Sequence, residues 1–285
     1  MKILRFILAL IFISTTLFSC KEDNVTGTTN ELIPDIILGY SNDDNIIYEI
    51  NIEDGSLTPK INSLPYFSWQ MEYLESTEQI ITTTDGNALL IIDIETGQSS
   101  TLSLSDNKAI ERLVVTENDI VYGISNDDNV LYQINLNNGN LTAKITPTTY
   151  PYRQLEYLKS TNQIIATIDG SEILIIDLST GESISQPLSE NKAIERLVVT
   201  ENDIVYGISN DDNVLYQINL NNGNLTAKVL IETNFYREME FLQNTNQLIS
   251  TIDGNVLLII DIETGQSSTL SLSNNKAIER LVIVK

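Results

Sequence analysis

The chain has 285 residues, with 16 lysines and arginines against 39 aspartates and glutamates, a net charge of −23, one cysteine and no histidine. That balance repels nucleic acid and anionic membrane surfaces. It also excludes an intrachain disulfide and any Ser-His-Asp, Cys-His or zinc-ligand centre, because the commonest general base and metal ligand is missing.

Residues 1–20, MKILRFILALIFISTTLFSC, place Lys2 and Arg5 before an apolar run too short to read as a membrane span, followed by small residues. This is the pattern of a secretory signal peptide. Its end, LFSC at 17–20, resembles the lipobox of bacterial lipoproteins, in which the cysteine is acylated and becomes the new first residue. The resemblance implies that residues 1–19 are removed and that lipid such as palmitate on Cys20 holds the protein to the membrane. The alternative is an ordinary signal peptide with a chance cysteine. KEDN at 21–24 resembles the lysine-plus-acidic export signal of surface lipoproteins in some gram-negative bacteria, which implies an outer-membrane, cell-envelope address that extends to surface display. Loss of 1–19 removes two basic groups and no acidic one, leaving 14 minus 39, or −25. Residues 20–34, polar and without periodicity, read as a lipid-anchored flexible tether.

From residue 35 the chain repeats itself. DIILGYSNDDNIIYEINIEDGSLT at 35 returns as DIVYGISNDDNVLYQINLNNGNLT at 119 and again at 203, a period of 84 residues. Each repeat holds two related halves, one with VLYQINLNNGNLT (130–142) and one with ILIIDLSTGESIS (173–185). Four short runs rich in Val, Ile, Tyr and Thr fill each half, separated by turn signals such as NNG, STG and DG. Four strands at a period near half of 84 make a β-propeller blade. In the third repeat the expected strands are A at 193–199, B at 203–209, C at 213–220 and D at 224–229, and no helix is expected after the signal peptide.

AIERLV occurs at 109–114, at 193–198 and at 277–282, three residues before the chain stops. The folded region therefore opens at Asp35 with a strand B and closes with a strand A. The C-terminal strand must complete the N-terminal blade, which removes free sheet edges. The expectation is an all-β, six-bladed propeller of four-stranded antiparallel blades over 35–285. LYQINLNNG and LIIDIETG resemble the pyrroloquinoline-quinone-type and YVTN-type repeats of extracytoplasmic propellers; the tryptophan-docking pattern of the quinone enzymes is missing, since Trp69 is the only tryptophan.

In a propeller, strand A lines the central channel, and the D-to-A and B-to-C connections share one face. Every strand A carries a glutamate: Glu72, Glu111, Glu156, Glu195, Glu240 and Glu279. This predicts a ring of six carboxylates, which would repel by about 3 kcal/mol per pair at roughly 6 Å and effective dielectric 20. Such a ring protonates, draws in a cation, or pairs with the bases nearby: Lys108, Arg112, Arg153, Lys192, Arg196, Arg237, Lys276 and Arg280 lie on strand A or at its entrance. SNDDN at 41, 125 and 209 falls in the B-to-C connection. Its Asp43, Asp44, Asp127, Asp128, Asp211 and Asp212 are hard oxygen ligands of the kind calcium takes, and equally what a tight turn selects. No cofactor is expected; calcium is the one the pattern leaves open.

The repeats disagree most sharply in one place. Residues 107–144 and 191–228 are identical over 38 positions, yet the next 11 match at only three. These D-to-A segments bring Tyr66, Phe67, Trp69, Tyr150, Tyr152, Arg153, Phe235, Tyr236 and Arg237 to one face, residue types that anchor interfaces and stack on sugars. The reading is a non-catalytic, membrane-tethered propeller binding a protein or glycan through that face, against the alternative of loops that drift because they are exposed. A calcium-dependent, lactonase-like hydrolase using channel carboxylates and a structural spacer without ligand are the other readings. Near-identical repeats argue against the hydrolase, which needs chemically different groups around one substrate.

Overall fold

The computed structural model describes residues 35–62, 64, 70–84, 87–146, 154–168, 171–232, 236–252 and 255–284. The expected signal peptide, Cys20 and the tether lie outside the described residues. Six four-stranded antiparallel sheets form a ring, with strands numbered β1 to β24 in chain order. In the third repeat the observed strands are Ile194–Val199, Val205–Ser209, Val214–Ile218 and Leu225–Leu230, each within a residue or two of expectation. Among the described residues the one departure from strands and turns is a 3-10 turn in three of the D-to-A connections, at Ser105–Asn107, Ser189–Asn191 and Ser273–Asn275.

The C-terminal strand β24 (Arg280–Val284) pairs antiparallel with β1 (Ile36–Ser41), in register Ile36↔Val284 through Tyr40↔Arg280. The sheet order is β24, β1, β2 (Ile46–Ile50), β3 (Leu57–Ile61), so the last strand of the chain is the innermost strand of the first blade. The other innermost strands are β4 (Met71–Leu74), β8 (Ile110–Val115), β12 (Leu155–Leu158), β16 (Ile194–Val199) and β20 (Tyr236–Leu242). Each of the six touches its two neighbours, which makes the channel wall continuous.

The core lies between blades. One cluster joins Leu38, Tyr40 and Ile47 of the first blade to Met71, Ile80, Leu90 and Ile92 of the second, and five similar clusters follow around the ring. The third strand of a blade has a neighbouring blade on each side, which is why ILIID at 173–177 reads as a continuous apolar run. Outer strands such as Ser99–Ser103 face solvent and are polar. Each buried Ile or Leu contributes about 1.5–3 kcal/mol, so most of the stability is interfacial between blades.

Adjacent blades are also stitched through backbone. Gly139 turns with φ +71, a conformation a side chain resists, and its carbonyl accepts from Ser105 N at 2.9 Å; a Cβ there would fall on the Ser103 carbonyl oxygen. Gly223 makes the same bond to Ser189 and Gly55 to Ser273, so the junction that closes the ring is built like the others.

Candidate functional site

Two innermost-strand types alternate around the channel. In β8 and β16 the pairing with the second strand slips between Ile110 and Arg112 and between Ile194 and Arg196, so Glu111 and Glu195 occupy β-bulges. In β4 and β12 the pairing is regular through Glu72↔Ile81 and Glu156↔Ile165. The glutamates expected at one level of the wall therefore divide. Glu72, Glu156 and Glu240 line a cavity of about 630 Å³ at the end of the channel formed by the A-to-B turns. Glu279 lines a second cavity of about 290 Å³ at the other end. Glu111 accepts from Asn126 Nδ2 at 2.8 Å, in the B-to-C turn.

Burial dominates the acidic cavity. It raises the Glu156 carboxyl from 4.5 to about 8, with the Glu238 charge adding to the rise and a 2.9 Å hydrogen bond from Gln154 opposing it. The Glu72 carboxyl is also raised well above its ordinary value, by burial and then by the charges of Glu156 and Glu238. Glu156 is therefore mostly a neutral acid at pH 7, which relieves part of the mutual repulsion expected of a carboxylate ring.

The second cavity opens where the D-to-A connections enter the innermost strands, and is lined by the arginines of all three repeats, Arg112, Arg196 and Arg280, spaced 84 residues apart. Each guanidinium is steered by a hydrogen bond to the preceding residue's carbonyl, from Arg112 Nη1 to Glu111 O at 3.2 Å, from Arg196 Nη1 to Glu195 O at 2.9 Å and from Arg280 Nη1 to Glu279 O at 2.6 Å. Arg196 Nε also donates to the Arg237 carbonyl at 2.7 Å. Burial pushes the Arg112 guanidinium down to about 10; Glu111 opposes that, while Arg196 and Arg280 add to it. Arg112 stays charged at neutral pH, and the three cations feel one another. Arg237 pairs with Glu279 across the junction between the last and first blades.

Between the arginines sit Gln70, Gln154 and Glu238, again 84 apart. Gln154 clamps the next blade, Oε1 accepting from Leu197 N at 2.9 Å and Nε2 donating to Leu197 O at 2.7 Å. Glu238 Oε2 accepts from Leu281 N at 2.8 Å. Burial lifts the Glu238 carboxyl to about 7 against the pull of Arg280, Arg196 and Arg112. Sequence reasoning passed over this triad, although the Gln, Gln, Glu series at 70, 154 and 238 was a visible signal.

The SNDDN aspartates serve as latches. Asp127, Asp211 and Asp43 accept from the backbone N–H of Ala109, Ala193 and Ala277 at 2.8, 2.9 and 3.1 Å, at the entrance to the innermost strand. Asp128, Asp212 and Asp44 pair with Lys108, Lys192 and Lys276 at 2.6–2.7 Å, so these lysines go to the turn aspartates and not to the channel glutamates. Burial alone would raise Asp44; hydrogen bonds from Lys276 and Tyr48 outweigh it and hold the carboxyl below its ordinary value. The turns close through Asn45, Asn129 and Asn213 at φ near +59. Among the described residues no group of three or more His, Cys, Asp or Glu side chains is placed to hold a metal ion.

Tyr66, Phe67, Trp69, Tyr150, Tyr152, Arg153 and Phe235 lie outside the described residues. Tyr236 begins β20, and Arg237, half-exposed, lines the arginine cavity. Gln70, Gln154 and Arg237, which follow these segments in the sequence, line the arginine cavity.

The fold and channel define a six-bladed β-propeller. No protein-family model matches the sequence, and no curated protein matches it. Among solved structures, a chain of a nidogen/laminin complex superposes with a TM-score of 0.73 at 9% identity, over 88% of this chain and 98% of that one. Virginiamycin B lyase from Staphylococcus aureus superposes with a TM-score of 0.59 at 14% identity, over 86% of each chain. At such identities the likeness concerns the fold alone.

Proposed function

We propose that this protein is a non-catalytic binding propeller, tethered to the cell envelope through lipid on Cys20, that takes hold of a protein or glycan with the D-to-A face. The observation that carries the reading is the convergence on that face: the three segments where the repeats diverge lead straight into the residues lining the arginine cavity. A frame in which 38 consecutive positions are duplicated without change while the next 11 match at only three is the arrangement of a scaffold adapted at its ligand end. Aromatic side chains and arginine supply stacking area and directed hydrogen bonds at low entropic cost. The nidogen/laminin structure contains a propeller chain in a protein complex, which accords with a protein partner.

The channel supports this reading better than hydrolysis. Its channel acids repeat by near-symmetry, Glu72 with Glu156, in place of an acid and a base held in different environments. The test is binding of the full-length chain to panels of envelope and extracellular glycans and proteins, compared with a Trp69→Ala, Tyr152→Ala, Tyr236→Ala variant. The reading expects binding by the parent and loss in the variant at unchanged melting temperature. Binding that survives the triple substitution contradicts it.

A further inference from the structure

The strand that closes the ring is held by a different side chain from its counterpart in the second repeat. At the junction between the fourth and fifth blades, Gln154 grips both main-chain groups of Leu197, its Oε1 accepting from the N–H and its Nε2 donating to the carbonyl. At the junction between the last blade and the first, the residue 84 positions on is Glu238, whose Oε2 accepts from Leu281 N at 2.8 Å. The two junctions share one register: Leu197 stands opposite Gly207 and Leu281 opposite Gly39. The N–H and C=O of one strand residue point to the same side. The Leu281 carbonyl therefore faces away from β1, on the edge of β24 where Glu238 holds the N–H. An ionised carboxyl can only accept there, whereas a protonated one also donates.

We infer that the closing junction is a pH-sensitive latch: with its proton, Glu238 accepts from the Leu281 N–H and donates to the Leu281 carbonyl, reproducing the two-point grip of Gln154. Without the proton it keeps the N–H bond alone and sets a carboxylate oxygen against the carbonyl.

The setting of Glu238 decides where the latch turns. The pairing of β20 with the next strand, β21 (Gln247–Ile252), slips between Tyr236 and Met239, so Glu238 lies in a bulge, 7% exposed. β21 brings no titratable side chain to it, and Ser250 Oγ donates to the Glu238 main-chain carbonyl at 2.6 Å. β24 contributes Arg280 and Glu279, β16 Arg196, β8 Arg112 and β20 itself Arg237, all lining the same cavity. Glu72 of β4 and Glu156 of β12 feel the Glu238 charge across the channel. Burial outweighs the pull of Arg280, of the Leu281 N–H and of Arg196 and Arg112, and lifts the carboxyl from 4.5 to about 7. A group raised in the folded state stabilises it at low pH and loses that contribution as pH rises through the raised value. The latch is therefore closed below about pH 7 and eased above it. Because β24 both closes the ring and lines the cavity through Arg280, easing the latch loosens the closure and the cavity wall together.

The inference needs no ligand to test. Hydrogen–deuterium exchange of the full-length protein, read by mass spectrometry at pH 6, 7 and 8 and converted to protection factors, compares β24 with β16, whose Gln154 grip does not titrate. The expected result is a β24-to-β16 protection ratio that falls at least about fivefold from pH 6 to pH 8, the worth of one hydrogen bond, and that stays constant in Glu238→Gln. Gln154→Glu is the second arm and should transfer the same pH dependence to β16. A ratio that is constant in the parent overturns the latch. So does a fall that Glu238→Gln leaves in place, which would trace it to the other channel acids, and so does a β16 in Gln154→Glu that does not respond to pH.

Discussion

Replacing Glu156 with Gln should stabilise the protein at alkaline pH and leave it almost unchanged near pH 5. The carboxyl ionises in the unfolded chain near 4.5 and in the channel near 8. The folded state therefore binds more protons than the unfolded state between those values, and stability falls as pH rises through that window. The interval is about 3.5 pH units, and at about 1.4 kcal/mol each the ionised Glu156 costs the fold roughly 5 kcal/mol above pH 8. Glu238, lifted to about 7, and Glu72, raised well above its ordinary value, act in the same direction. Urea unfolding at pH 5, 6, 7 and 8, followed by Trp69 fluorescence and by circular dichroism, measures the effect. The parent should lose several kcal/mol across the series and Glu156→Gln substantially less, with the two curves converging at pH 5. A parent stability that is flat, or that rises from pH 5 to 8, refutes the reasoning and means that Glu156 is ionised in the channel beside a cation.

Gly139→Ala should cost about 3 kcal/mol or more, because the left-handed turn and the bond from Ser105 both suffer. Gly97→Ala, with φ +68 but its nearest neighbour 3.9 Å away, should cost about 1 kcal/mol, and thermal melts compare the two directly. Leu281→Ala, in the strand that closes the ring and fully buried, should lose about 2–5 kcal/mol. Cutting the chain before β24 removes Leu281, Val282 and Val284 from the core and bares the edge of β1, so the product should be aggregated on size-exclusion chromatography. Calcium titration of the melt should leave the midpoint unchanged, since lysine and tyrosine engage Asp44, Asp128 and Asp212. Cys20→Ala should move the protein from the membrane fraction to the soluble fraction of the cell envelope.

The architecture was legible because repetition wrote it six times over. The period, the turn signals and the unpaired strand at each end sufficed to place the closure between β1 and β24. The level of each channel side chain was not legible, because QMEYL and AIERL show the same buried, half-buried, half-buried, buried pattern over their strands. What separates them is a bulge at Glu111 and Glu195, a backbone irregularity that side-chain periodicity does not record. The lysines were misassigned for a related reason. Lys108 stands at the entrance of strand A, but the SNDDN turn reaches it first with the Asp128 carboxylate, which Tyr132 of the next strand orients. Glu238 went unread because it looks like one more acid in an acidic chain; only the three-fold comparison with Gln70 and Gln154 sets it apart.

The most direct test of the binding face is site-specific photo-crosslinking in intact cells that make the protein, with the reactive residue at position 152 in a diversified connection or at position 119 in an A-to-B turn at the opposite end of the channel. The account predicts ligand adducts from position 152 and none from position 119. Adducts from position 119 with none from position 152 would place the ligand on the wrong end and contradict it.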